Sequence, residues 1–181
     1  ALTESPVTLS ASRTVTDAEG KESEELLGQL NVIGYTPQSE QLILVPVNGN
    51  NYPHNVGNLQ TKLNAIYGQA VTSWQVSVHA GVSYDYGEDF DDGGTGVLSN
   101  YTGEMRGLIR ALKDAGDVNK DAHYLFLLTK PASGNKLGYM PRSKDYGFIF
   151  TAQMGSERVM NTAIGHELGH GAFHLKHIFT E

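Results

Sequence analysis

Apolar residues recur along most of this chain with the periods of strands and helices. Continuous or alternating apolar runs predict five strands, at residues 30–35, 41–47, 71–79, 124–128 and 146–150. Four consecutive apolar residues inside 41–47, and five inside 124–128, are typical of strands buried on both faces. These two segments therefore belong near the centre of a sheet.

Three helices are predicted between and after these strands. One is marked by Val56, Leu59, Leu63 and Ile66, and a second by Met105, Leu108, Ile109 and Leu112, at three- and four-residue spacing. The third begins after Ser156, a favourable N-cap, and a loop over residues 131–141 separates the last two strands. This order predicts an α/β (α+β) fold: a mixed, mostly parallel twisted sheet with helices packed on it, the last helix at the C-terminal end.

The chain divides into a polar start and one folded domain. Residues 1–28 are polar without a sustained period, which predicts a tail or linker that is partly disordered. Within it, Val7, Leu9 and Val15 would suit a short edge strand. Residues 29–181 are enough for one domain with a sizeable core.

Composition and charge limit the classes of partner that this protein is expected to bind. The net charge of −7 argues against nucleic acid or an anionic membrane surface, and no apolar run reaches the length for membrane insertion. The absence of cysteine removes thiol chemistry and Cys-ligated zinc. The chain starts without a charged, apolar leader, so we expect a secreted or cell-surface protein whose signal peptide has been removed.

The clearest chemical signal is the H-E-x-x-H sequence His166-Glu167-Leu168-Gly169-His170. On a helix its two histidines lie on one face, about 6 Å apart along the axis, so both imidazoles can bind one Zn²⁺. Two more histidines follow closely. Gly165, Gly169 and Gly171 weaken the helix by about 1 kcal/mol each relative to alanine, which indicates close approach of backbone or metal.

Catalytic zinc takes three protein ligands and leaves one position open. His174 continues the four-residue series, but on a straight helix it lies about 12 Å along the axis from His166. His177, about 16 Å away on a straight helix, serves only if the chain turns back after Gly171. We predict His177 as the third ligand, with His174 as the alternative; an Asp or Glu from elsewhere also stays open.

This pattern resembles the zincin metallopeptidases, and more narrowly the metzincin-like ones. In those proteins H-E-x-x-H is followed by x-x-G-x-x-H, whose glycine makes the turn that returns a third histidine. Here Phe173 stands at the glycine position and Lys176 at the histidine position, with His177 one residue later. The variant H-E-L-G-H-G-A-F-x-L-x-H is similar to secreted bacterial zincin domains, including toxin-type peptidases.

The resemblance implies a zinc-dependent endopeptidase with a protein or peptide substrate. Glu167 would be the general base that takes a proton from a metal-activated water. The substrate would lie along an edge strand, here residues 145–150, with Tyr146, Gly147 and Phe148 binding it. Metzincins also have a methionine-containing turn downstream of the third ligand; since the chain ends at Glu181, that turn would be absent or belong to a longer parent protein.

Two alternatives stay open. A non-catalytic zincin-like binding module of a larger secreted or surface protein is the other reading of the motif. Separately, residues 85–94 hold five carboxylates between glycines, which indicates a solvated acidic loop, a Ca²⁺ site or a cleft rim that favours basic substrates. For the tetrahedral oxyanion, the candidate partners by residue type are Tyr139, Tyr146 and His123.

Overall fold

The computed structural model of the chain describes residues 7–91, 101–116, 118–132 and 136–177. Its backbone divides into two units, the first ending at Gln38 and the second starting at Ser39. Among the described residues, no helix combines the length and the apolar character that a membrane span requires.

The first unit is a β-hairpin. Strands β1 (Val7–Thr16) and β2 (Glu22–Val32) pair antiparallel, with an irregularity in register after Ala11. Gly20, in the left-handed region at φ 81°, closes the connection between them. The sequence predicts a polar tail or linker over residues 1–28, but the described residues 7–28 are mostly strand. Alternating Thr, Ser and Val residues favour a β-ladder even where every residue of it is exposed.

The second unit is a mixed α/β domain, as predicted. Its sheet has the order β4-β3-β5-β7-β6, where β3–β5 and β5–β7 are parallel and β6–β7 is antiparallel. The strands are β3 (Gln38–Pro46), β4 (Thr72–Val78), β5 (Ala122–Leu128), β6 (Gly138–Tyr139) and β7 (Tyr146–Phe150). The helices are α1 (Val56–Tyr67), α2 (Gly103–Asp114) and α3 (Glu157–Gly171), with 3₁₀ turns at Gly68–Ala70 and Thr151–Gln153.

The three helices cover both faces of the sheet. Leu125 and Leu127 of β5 face α1 and α3, while Tyr124, Phe126 and Leu128 face α2. The same alternation holds in β3, where Leu42 and Leu44 pack on the first face. The continuous apolar runs are thus buried on both faces, and the domain has three layers.

Strand β6 lies inside the segment that the sequence predicts to be a loop. Gly138 and Tyr139 pair with Ile149 and Phe148, so β7 has a neighbour on each side. The prediction that residues 145–150 form the edge strand is therefore wrong. A two-residue strand in a Gly- and Pro-rich segment has no apolar period to reveal it, because backbone atoms alone make the pairing.

Candidate metal centre

Helix α3 presents the H-E-x-x-H sequence at the surface of its layer. Ser156 is its N-cap, as predicted, with Oγ accepting a hydrogen bond from the Val159 amide at 3.3 Å. Its apolar side packs into the core shared with α1, through Met160, Ala163, Ile164 and Leu168. This anchoring leaves His166 exposed and His170 half-buried, on the side of the helix away from the core.

Three imidazoles converge beside this helix. His166 Nε2 is 3.1 Å from His170 Nε2, which is 2.8 Å from His177 Nε2. Ligand atoms of the three residues all lie within 4.8 Å of one another. Bonds of about 2.0–2.1 Å around tetrahedral zinc would place two ligand nitrogens about 3.3 Å apart, so the three residues fit that ion with small adjustments.

The surroundings of His166 favour the neutral form of its imidazole, which is the form that binds a metal. Burial lowers the pKa of His166, and the neighbouring His170 and His177 lower it further. A neutral imidazole has a lone pair to give a metal, whereas a protonated one has none. His170 Nδ1 donates to the Leu175 carbonyl at 2.7 Å, which directs the Nε2 lone pair of His170 toward the other two rings.

His177 can join His166 and His170 only if the chain turns back after Gly171, and the chain does turn back there. A Cβ on Gly171 would lie 2.9 Å from the Lys144 carbonyl oxygen, so only glycine lets α3 end against this loop. By contrast, a Cβ on Gly169 would make ordinary contacts, at 3.4 Å or more. Phe173 stacks on Tyr67 with ring centroids 4.8 Å apart and fixes the start of the turn.

The turn itself is made by a histidine. His174 is in the left-handed region at φ 59°, which non-glycine residues seldom adopt. Its Nδ1 is 2.5 Å from Oγ of Ser143, another left-handed residue at φ 62°. His174, the alternative third ligand, is therefore outside the group of three, and its side chain joins two loops instead.

Glu167 is buried between α3 and β6, with 7 % of its surface exposed. Burial raises its pKa to about 8, against the opposing effects of a hydrogen bond from the Met140 backbone amide and of the Lys136 charge. A Cβ on Gly138 would lie 2.7 Å from Glu167 Cγ, so the backbone of β6 packs directly on the carboxylate side chain. The strand that the sequence misses thus covers the predicted base.

A cavity of about 1110 Å³ opens over these groups. It is lined by His166, Glu167, His170 and His177, by the segment 136–142 that contains β6, and by residues of α3 nearer its N-terminus. Tyr139 is on this lining, whereas Tyr146 and His123 are not. Tyr139 is thus the one of the three candidate oxyanion partners on the cavity lining, although its side chain packs against the core on the α2 side.

The predicted substrate-binding residues Tyr146, Gly147 and Phe148 do not line the cavity. Tyr146 and Phe148 belong to the core on the α2 side, because alternate residues of a strand face opposite layers. Gly147 faces the other layer, but a Cβ there would lie 3.0 Å from Met140 Cβ. Met140 therefore covers this position, so none of the three predicted residues reaches the cavity.

The acidic loop is not part of this site. None of residues 85–91 lines the cavity, and residues 92–94 lie outside the described part of the chain. Within the residues described, the group that could hold a metal is His166, His170 and His177. The calcium site stays a prediction from sequence. The charged side chains at the mouth of this cavity are basic, so the described residues do not form the acidic cleft rim considered above.

The three histidines could hold a metal ion, and they line one cavity together with the buried Glu167. Any function must be inferred from this geometry. No protein-family model and no curated protein sequence matches the chain.

Proposed function

We propose that this protein is a zinc-dependent endopeptidase. In this proposal His166, His170 and His177 hold the ion, and Glu167 is the general base. The observation that carries the proposal is the convergence of three Nε2 atoms next to a buried carboxyl, on one wall of a large open cavity. A helix that merely fills a core has no use for either feature.

In the proposed mechanism the metal ion and Glu167 have separate roles. When bound, zinc would polarise the scissile carbonyl and lower the pKa of a water to about 7. Glu167 would take a proton from the attacking water and deliver it to the departing amine. Because burial raises its pKa, this carboxyl holds a proton more readily than an exposed glutamate does.

The shape of the cavity favours a polypeptide substrate. Its volume of about 1110 Å³ exceeds the roughly 300–1,000 Å³ of a small-molecule pocket. Within the described residues, β6 is the last strand of the sheet, and its backbone lies against Glu167. An extended peptide added to this edge would place a backbone carbonyl next to the base.

The test combines metal content with cleavage. Elemental analysis of the full chain should find one zinc per molecule, and a mixed peptide library should be cleaved internally unless a chelator is present. Glu167→Gln should keep the zinc and lose cleavage. Glu157→Gln is the matched control on the same helix, because Glu157 bonds Asn58 at 3.1 Å and is not on the cavity lining.

Three results would contradict the proposal. Absence of stoichiometric zinc would remove the metal centre. Cleavage that survives Glu167→Gln would remove the general base. Zinc without cleavage of any library peptide would favour the non-catalytic binding module.

A further inference from the structure

The cavity has the opposite charge from the rest of the protein. The chain contains 20 acidic and 13 basic residues, for a net charge of −7. Four basic side chains nevertheless line the cavity, namely Lys136, Arg142, Arg158 and Lys176. Among the described lining residues the one acidic side chain is Glu167, which is buried and assigned to proton transfer.

The four basic residues come from three separate segments. Lys136 and Arg142 lie on either side of β6, Arg158 is in the first turn of α3, and Lys176 directly precedes His177. They are thus distributed around the cavity and are not one local run of charge. Three independent segments converge to give one positive rim.

Within the described part of the chain, no carboxylate forms an ion pair with three of these four side chains. Arg142, Arg158 and Lys176 are exposed, and none of them has an ion pair within the described residues. The described ion pairs lie elsewhere, at Arg13–Glu25 and around His123. Lys136 lies over the Tyr139 ring at 5.4 Å, and its charge lowers the pKa of Glu167. The positive potential at the cavity mouth is therefore available to a ligand.

We infer that the cavity selects acidic polypeptide segments, with Asp or Glu on both sides of the bond presented to the metal centre. This inference rests on the proposed function and names the substrate class of the same site. A bound Zn²⁺ would add to the positive charge and so would strengthen the preference. A long nucleic acid fits less well, because beyond the rim it would meet a protein of net negative charge.

Binding is tested with turnover removed. Fluorescence anisotropy would compare zinc-loaded Glu167→Gln protein with three labelled peptides of one length, in which Glu, Gln or Lys flanks a constant centre. At low salt the Glu peptide should bind about tenfold more tightly than the Gln peptide, and the Lys peptide most weakly. Salt near 0.5 M should remove most of the difference, because exposed charges are screened.

Charge-reversal variants test whether the basic residues of the cavity cause the preference for the Glu peptide. Arg142→Glu with Arg158→Glu, made in the Glu167→Gln background, should remove the preference for the Glu peptide and leave the affinity for the Gln peptide within about threefold. Arg110→Glu is the control for charge, because Arg110 is exposed on α2, on the opposite face of the sheet. Melting temperatures of all variants would confirm that they fold.

Several outcomes overturn the inference: equal affinity for the Glu and Gln peptides, an equal loss of preference with Arg110→Glu, or tighter binding of a single-stranded oligonucleotide of matched charge. Its failure is distinct from failure of the proposed function. Chelator-sensitive cleavage without charge preference would retain the endopeptidase and reject the selectivity. Charge-selective binding without cleavage by the unmodified chain would do the reverse.

Discussion

The two faces of the sheet are built from the same strands but bury different groups. The face covered by α2 is filled with apolar and aromatic side chains, including Phe90, Phe126, Phe148 and Phe150. Both faces bury tyrosine hydroxyls, but the face covered by α1 and α3 also buries the polar side chains of Asn161 and Glu167. The candidate metal centre is on this second face.

The polar groups of the α1/α3 face require partners, because an unpaired buried polar group costs about 1–3 kcal/mol. Tyr52 donates to Asn161, and Tyr67 donates to the Gly165 carbonyl at 2.5 Å. The carboxyl of Glu167 differs from these groups. The Met140 amide and the Lys136 charge offset the cost of its burial only in part, so its pKa rises to about 8. The α2 face thus contributes stability, while the other face retains a carboxyl whose burial is costly and which the proposed reaction needs.

The largest expected effect is on turnover. Glu167→Gln should reduce kcat by about 10²–10⁴-fold, because the amide cannot accept a proton from water. Zinc content should stay the same, since Glu167 is not one of the three converging groups. Initial-rate assays with elemental analysis would check both, and a loss of zinc together with activity would show that Glu167 acts on the metal and not on the proton.

A truncation on the α2 face should affect stability instead. Leu108→Ala removes a fully buried side chain and should lower the free energy of unfolding by about 2–5 kcal/mol. Urea unfolding would measure this loss. The zinc bound per folded molecule should not change; a selective loss of zinc would contradict the separation between the faces.

The pH dependence of the free energy of unfolding should reveal how much the burial of Glu167 destabilises the protein. Burial raises its pKa from the ordinary value of 4.5 to about 8 in the folded protein. The stability that its protonated form contributes is therefore complete below pH 4.5 and is lost as pH rises through 8. In chelator, Glu167→Gln should therefore be more stable than the unmodified chain by about 4 kcal/mol at pH 8, with little difference at pH 4.5. Urea titrations at both pH values would test this sign, and a difference that shrinks toward pH 8 would reverse it.

The hydrogen bond between His174 and Ser143 should support the metal centre through the turn. His174→Ala should weaken zinc binding by about 10–100-fold, because His177 is then held less firmly. Ser143→Ala should have a similar effect, and the double variant should add little to either. His54→Ala is the control histidine, and competition with a zinc-binding dye is the measurement; fully additive losses would show that the two residues act separately.

The smallest effect compares one hydroxyl on each face. Tyr67→Phe removes the bond to the Gly165 carbonyl and should lower the free energy of unfolding by about 1–1.5 kcal/mol. Tyr86→Phe, on the α2 face, removes a longer contact of 3.4 Å with Thr129 and should cost less than about 0.5 kcal/mol. Equal losses in urea unfolding would contradict the difference drawn between the faces.

Sequence patterns alone determined the elements that depend on neighbouring residues. Apolar periodicity located α1, α2 and the strands β3, β4, β5 and β7 to within a few residues. The H-E-x-x-H sequence and the N-cap residue Ser156 located α3. The four-residue spacing of His166 and His170 put both on one face of that helix. Each of these features follows from local backbone geometry, which repeats every two or 3.6 residues.

Only the tertiary structure decided which distant residues meet. Strand β6, the approach of His177, the exclusion of His174 from the metal group and the basic rim all depend on contacts between segments separated in sequence. No periodic pattern encodes such contacts, because backbone pairing and the direction of a turn after a helix are set by the surfaces against which they pack. The sequence therefore determined a helix that carries His166, Glu167 and His170. The tertiary structure decided that His177 joins the two histidines, that Glu167 is buried and that basic side chains line the same cavity.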